Sequence, residues 1–176
     1  MKTPNENLDT HVKAPEFLGD VGAFLEKTFS ALDHDGIDVS GYELDHLCYR
    51  VDSMEKYKRF QDEFSRLGTL LNETEINGRK ISTYKLKKPI PFGDRQIFLV
   101  ELPAPKEGSA YADGLEHSEF VIPEKFEDFI KHHSSVPFDL SDIHKKSNPD
   151  IKIKYDGFSV KFHNRTLEEV IRTEQT

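Results

Sequence analysis

The sequence predicts one α+β domain made of two βαβββ modules behind an N-terminal helix. Three observations carry this reading. The order strand, helix, strands occurs twice; both repeats open on a strand-like run bearing Leu-acid-His; and Asn77-Gly78 marks a tight hairpin in the first. A chain of 176 residues is long enough to close one such core. The expected division is a flexible tail over 1–14, a helical extension over 15–40, a first module over 41–106 and a second over 113–176.

The extension reads as a helix from Glu16 to Leu32. Phe17, Leu18, Val21, Phe24, Leu25, Phe29 and Leu32 recur every three or four residues on one stripe. Asp33-His34-Asp35-Gly36 has calcium-loop residues but places its glycine too early, so a turn is expected.

The first module opens at Leu44 to Val51. Asp52 and Glu55 have capping-box spacing ahead of a helix whose apolar side is Met54, Tyr57, Phe60, Phe64 and Leu67, and Gly68 stops it. Strands follow over Thr69–Glu75, Arg79–Leu86 and Gln96–Leu102, where Pro103 and Pro105 end the ladder. The second module opens at Leu115 to Ile122. Pro123 is expected at the first position of a helix carrying Phe126, Phe129 and Ile130. No element is readable from His133 to Pro149. Strands over Ile151–Tyr155 and Phe158–His163 and a helix over Leu167–Arg172 close the chain.

Strand alternation sorts the side chains by face. Leu47, Tyr49 and Val51 oppose His46, Cys48 and Arg50. Phe120, Ile122 and Ser118 oppose His117 and Glu119, which fall beside Leu115 and Val121. Phe158, Val160 and Phe162 oppose Ser159, Lys161 and His163. The apolar faces are expected to pack on helices and the polar faces to line a cleft between curved, antiparallel-rich sheets. In such a cleft Glu119 suits a general base, and Arg50 and Lys161 suit an anionic substrate group. A Cys48–His46 nucleophile is set aside because residues two apart on a strand seldom meet that geometry. His132, His133 and His144 are expected at the surface.

Formal net charge is −8, from 24 basic and 32 acidic residues. An acidic chain repels phosphate backbones, and its densest basic stretch, Lys85, Lys87 and Lys88, is short, so no nucleic acid is expected. No apolar run approaches membrane-spanning length, so no membrane is expected as a partner. The polar N-terminus lacks a secretory core, and the single Cys48 excludes an internal disulfide. Both suit the cytoplasm.

Leu44-Asp45-His46, Ile76-Asn77-Gly78-Arg79, Val100-Glu101-Leu102-Pro103, Glu116-His117 and Lys161-Phe162-His163 stand in the order seen in YecM-like proteins. The chain resembles that family from about Leu44 to Gln175, with a matching N-terminal helix. The family is similar to the vicinal oxygen chelate superfamily of glyoxalases, epimerases and extradiol dioxygenases. That resemblance implies paired βαβββ modules and metal ligands on the first and last strands of each. It implies His46, Glu101 and His117 as ligands of Zn, Ni, Mn or Fe, with a fourth near Lys161. Lysine is a poor ligand, so His163, two residues on, stands in as a substitute ligand or joins Arg50 and Lys161 in binding substrate. The implied function is a metal-dependent isomerase, lyase or oxygenase acting on a small oxygenated substrate. Two alternatives stay open: a non-catalytic small-molecule binder, which Lys161 favours, and an interaction module with a decayed site. Modules of the superfamily pair within or between chains, which leaves a homodimer open.

Overall fold

The computed structural model describes residues 14–176; the expected tail, save Ala14, lies outside them. A 3-10 turn, Glu16–Leu18, precedes α1 (Val21–His34). The expected single helix is thus split. Gly19 takes φ +73°, and Asp20 starts a new helix by accepting the Ala23 N–H at 2.8 Å. The apolar stripe survives the break, with Leu18, Val21, Leu25 and Leu32 all buried.

The first module is β1 (Glu43–Arg50), α2 (Met54–Leu67), β2 (Gly68–Ile76), β3 (Arg79–Phe92) and β4 (Arg95–Pro103). Ser53, not Asp52, caps α2, because Lys56 engages the Asp52 carboxylate at 2.8 Å while the Lys56 N–H donates to Ser53 Oγ. Gly68 ends α2 in extended backbone and opens β2 directly. It is needed for close approach, since a Cβ there would lie 2.3 Å from the Lys85 carbonyl oxygen. Asn77 and Gly78 both take positive φ, as the hairpin requires. β3 runs past the expected Leu86 through Pro89 and Pro91. Beyond Leu86 it has no β2 neighbour, so the prolines sit on a free edge.

The second module is β5 (Gly114–Val121), α3 (Phe126–His132), β6 (Ile151–Lys154) and β7 (Ser159–His163), followed by α4 (Leu167–Glu174). α3 begins three residues after Pro123, behind Lys125, so the proline precedes the helix. The first of the three strands after α3 is reduced to one bridge, Asp139 to Lys152. α4 carries a full capping box between Thr166 and Glu169.

All seven strands form one sheet in the order β2-β3-β4-β1-β5-β7-β6, antiparallel except for β1–β4 and β5–β7. The modules join through the antiparallel β1–β5 pair and are related by a local twofold through Leu47 and Ser118, which face each other. The registers make the equivalences explicit. Cys48 pairs with Glu101 across β1–β4, and Glu119 pairs with Lys161 across β5–β7. Exchange of modules therefore maps His46 on His117, Cys48 on Glu119 and Glu101 on Lys161.

The helix-covered face holds the aromatic core. Phe60 stacks on Tyr49 at 4.9 Å, Phe64 on Tyr84 at 5.2 Å, Phe29 meets Phe120 edge-on at 5.8 Å, and Phe129 meets Phe162 at 4.8 Å. Leu115 joins this face and not that of His117, because a bulge shifts the register between it and His117. The opposite face is covered in part by α4, whose Leu167 and Ile171 pack on Leu99 and Leu71.

Tyr57 fastens α2 to the sheet by donating to Glu73 Oε2 at 2.9 Å, with Ser82 Oγ 2.7 Å away. Burial, joined by the Glu73 charge, pushes its phenol up to about 12. The unfolded phenol titrates near 10. The Tyr57 contribution is therefore complete below pH 10 and lost as pH rises through about 12. Urea midpoints followed by circular dichroism between pH 9 and 12 are expected to fall more steeply in wild type than in Tyr57→Phe.

Candidate metal centre

Four side chains from three adjacent strands converge at the middle of the sheet: His46 on β1, Glu101 on β4, and His117 and Glu119 on β5. His46 Nε2 lies 3.6 Å from Glu101 Oε2 and 3.3 Å from Glu119 Oε1. His117 Nε2 lies 3.7 and 3.1 Å from the same two atoms. Ligands held 2.0–2.1 Å from a tetrahedral ion stand roughly 3.4 Å apart, so these spacings suit one small cation.

The donor chemistry also suits a cation. The Nε2 atoms of His46 and His117 are buried and have no hydrogen-bond partner among the described residues. Each ring is engaged at its other nitrogen by the acid that precedes it. Asp45 Oδ2 meets His46 Nδ1 at 2.7 Å, and Glu116 Oε2 meets His117 Nδ1. With Nδ1 engaged by the acid, Nε2 of each ring is the nitrogen left to carry a proton or meet a metal ion, and it faces the two carboxylates. Of the four side chains only Glu101 keeps appreciable exposure, at 18%.

The opposite charges of the cluster lie within 4 Å of one another. Burial works against a charged His46, but Glu119, Asp45 and Glu101 hold its pKa well above the ordinary value. Burial likewise opposes a charged His117, and Cys48 and Glu101 hold it high. Glu101 and Glu119 are held low by the histidines despite burial, Glu119 with help from Lys161. Positive charge at this point is favoured, whether carried by protons or by a metal ion.

Glu119, expected as a base, lies close enough to the other three to be a fourth potential donor. Lys161 stands where the local twofold would put a second Glu101, and its ammonium lies 3.6 Å from Glu119 Oε1. His163 does not join the four. Its Nδ1 meets Asn148 Oδ1 at 3.0 Å and Glu119 Oε2 at 3.5 Å, and its Nε2 lies 3.5 Å from Asp45. Arg50 lies along the β1 face beyond Cys48, stacked on the Tyr111 ring at 4.4 Å. Its Nε is buried without a partner among the described residues. Cys48 is buried beside Glu116 and His117.

Strand alternation alone marks neither Asp45 nor Glu116 as a functional residue. The signal was present in the repeated Leu-acid-His, but alternation places a residue adjacent to a strand histidine on the opposite face. Two grooves flank other parts of the molecule. The larger, about 450 Å³, is lined by Phe29, Asp33, Asp38 and Arg95 and lies away from the histidines. The smaller, about 120 Å³, is lined by Asp45, Leu99, Phe98, Lys85 and Thr166 and reaches the back of the site through Asp45.

Comparisons with known proteins agree with this architecture. The family model described as YecM protein matches residues 13–146. Protein YecM of Escherichia coli is 29% identical over 178 aligned residues, covering 90% of this chain and 95% of that protein. An uncharacterised protein of Haemophilus influenzae is 39% identical over 87 residues, and the match spans 49% of this chain and 46% of that one. Among solved structures, the structural-genomics protein EC4020 superposes with a TM-score of 0.73 at 27% identity, covering 94% of this chain and all of the other. A methylmalonyl-CoA epimerase variant of Streptomyces coelicolor, in complex with 2-nitronate-propionyl-CoA, gives a TM-score of 0.50 at 14% identity. It covers 69% of this chain and 95% of its own and shares the fold. No helix among the described residues is long and apolar enough to cross a membrane.

Proposed function

We propose, from the premise that this chain belongs to the YecM protein family, that it binds one divalent metal ion through His46, His117, Glu101 and Glu119 and uses it on a small oxygenated substrate. One observation carries the reading: two buried imidazole Nε2 atoms without hydrogen-bond partners among the described residues face two carboxylates at 3.1–3.7 Å. Imidazole and carboxylate donors suit Zn, Ni, Mn or Fe(II). Such an ion supplies Lewis acidity, which polarises a carbonyl oxygen and stabilises negative charge that develops there.

The chain's own residues supply the rest. Glu119 Oε2 is buried with no hydrogen-bond partner among the described residues, 3.5 Å from His163 Nδ1, and is the carboxylate oxygen assigned to accept a substrate proton. Arg50 and Lys161 provide cations for an anionic substrate group. The reaction class is isomerase, lyase or oxygenase. The fold shared with a protein named as an epimerase supports proton transfer beside a carbonyl as the first to assay. A second reading, a binder without turnover, is favoured by Lys161, which occupies a carboxylate's equivalent position.

The test is metal content by mass spectrometry on protein purified without a metal-binding tag. Near-stoichiometric metal in wild type, lost in His46→Ala with His117→Ala, is the expected result. Wild type that takes up no Zn, Ni, Mn or anaerobic Fe(II) overturns the reading.

A further inference from the structure

The β1–β5 pair is irregular at two places only. Leu44 faces Phe120 and His46 faces Glu119, so Asp45 is an extra residue in β1. Cys48 faces His117 and Tyr49 faces Leu115, so Glu116 is an extra residue in β5. Within this pair each strand thus has one bulge, at the acid immediately before its histidine, and the local twofold relates the two. In a regular strand the acid would point to the far face. A bulge re-aims it. Here both acids turn to the site face and engage the Nδ1 of the histidine that follows.

We infer that Asp45 and Glu116 are positioning residues, held on paired β-bulges, that orient His46 and His117 so both Nε2 atoms meet at the metal point. The inference rests on the metal reading above. The two acids are not equivalent. Asp45 Oδ2 also accepts the Leu167 N–H at 2.9 Å, at the start of α4, so the C-terminal helix fixes the acid that fixes His46. Glu116 is 24% exposed and, among the described residues, has one further hydrogen bond besides that to its histidine, from Ser159 Oγ at 3.3 Å. Loss of Asp45 is therefore the more damaging.

The test titrates Zn(II) and Mn(II) into wild type, Asp45→Ala, Asp45→Asn, Glu116→Ala and Glu116→Gln, with urea melts to confirm folding. Outer partners of metal-bound histidines are worth roughly 10–100-fold in affinity. Asp45→Ala is expected near the upper end of that range and Glu116→Ala near the lower. The amide variants, which keep an acceptor oxygen, recover part of each loss. A second readout needs no metal: the protected Nδ1–H proton resonances of His46 and His117, each expected to vanish when its own acid becomes alanine. Alanine variants that bind as tightly as wild type, or resonances that ignore the substitutions, overturn the inference. Wild type that binds no metal while the resonances respond overturns the metal reading instead. Should Asp45→Ala fail to fold, Glu116→Ala carries the same test at a less buried position.

Discussion

Glu119→Gln is expected to abolish stoichiometric metal binding and to destabilise the metal-free protein by about 3 kcal/mol, the low end for breaking a buried ion pair. The Glu119 side chain is 5% exposed and faces three potential cations: His46 at 3.3 Å, His117 at 3.1 Å and Lys161 at 3.6 Å. Neutralising it removes one of the two carboxylates that face both histidines and the carboxylate that Lys161 contacts, where water is scarce. Lys161 retains 18% exposure, which keeps the cost at the low end. Adding Lys161→Met to Glu119→Gln removes the stranded ammonium and is expected to restore part of the stability, but none of the metal binding. In an otherwise wild-type chain, Lys161→Met is expected to tighten metal binding about tenfold. Like charges a few ångströms apart repel by several kcal/mol before screening, and about 1.4 kcal/mol of relief suffices. Urea melts and metal titrations on the four proteins check both signs. Glu119→Gln that binds metal as wild type does removes it from the donor set.

Phe162→Ala is expected to cost about 3–5 kcal/mol, the range for a buried phenylalanine. The ring is fully buried, 4.8 Å from Phe129 and 6.0 Å from Phe120, and couples α3 to β5 and β7. Its chain neighbours Lys161 and His163 face the other side of the sheet. The variant is thus expected to unfold at lower urea yet, where folded, to bind metal with wild-type affinity. A metal titration in the absence of denaturant checks this. A large loss of affinity would mean that the two faces are mechanically coupled.

These two residues illustrate how much was legible in the chain. Phe162 stands between Lys161 and His163, and Tyr49 between Cys48 and Arg50, and that period assigns faces wherever a strand is regular. His46, Glu101 and His117 came from resemblance and do converge. Pattern and structure part where geometry departs from the repeat. Alternation alone puts Leu115 beside His117, spacing alone gives α2 an Asp52 cap, and Pro123 alone suggests the start of α3. In each case a neighbouring group decided: a bulge, the Lys56 ammonium, and the turn after β5.

By itself the sequence determined the order of elements, the apolar faces, the Asn77-Gly78 hairpin and the histidines at equivalent places in two modules. These depend on local periodicity and turn chemistry, which act over a few residues. Tertiary structure alone decided that Glu119 joins His46, Glu101 and His117 in one cluster, that Lys161 stands at the position equivalent to Glu101, and that Asp45 and Glu116 reach their histidines. Each of these depends on strand register between distant segments, and a one-residue bulge moves a side chain from one face to the other.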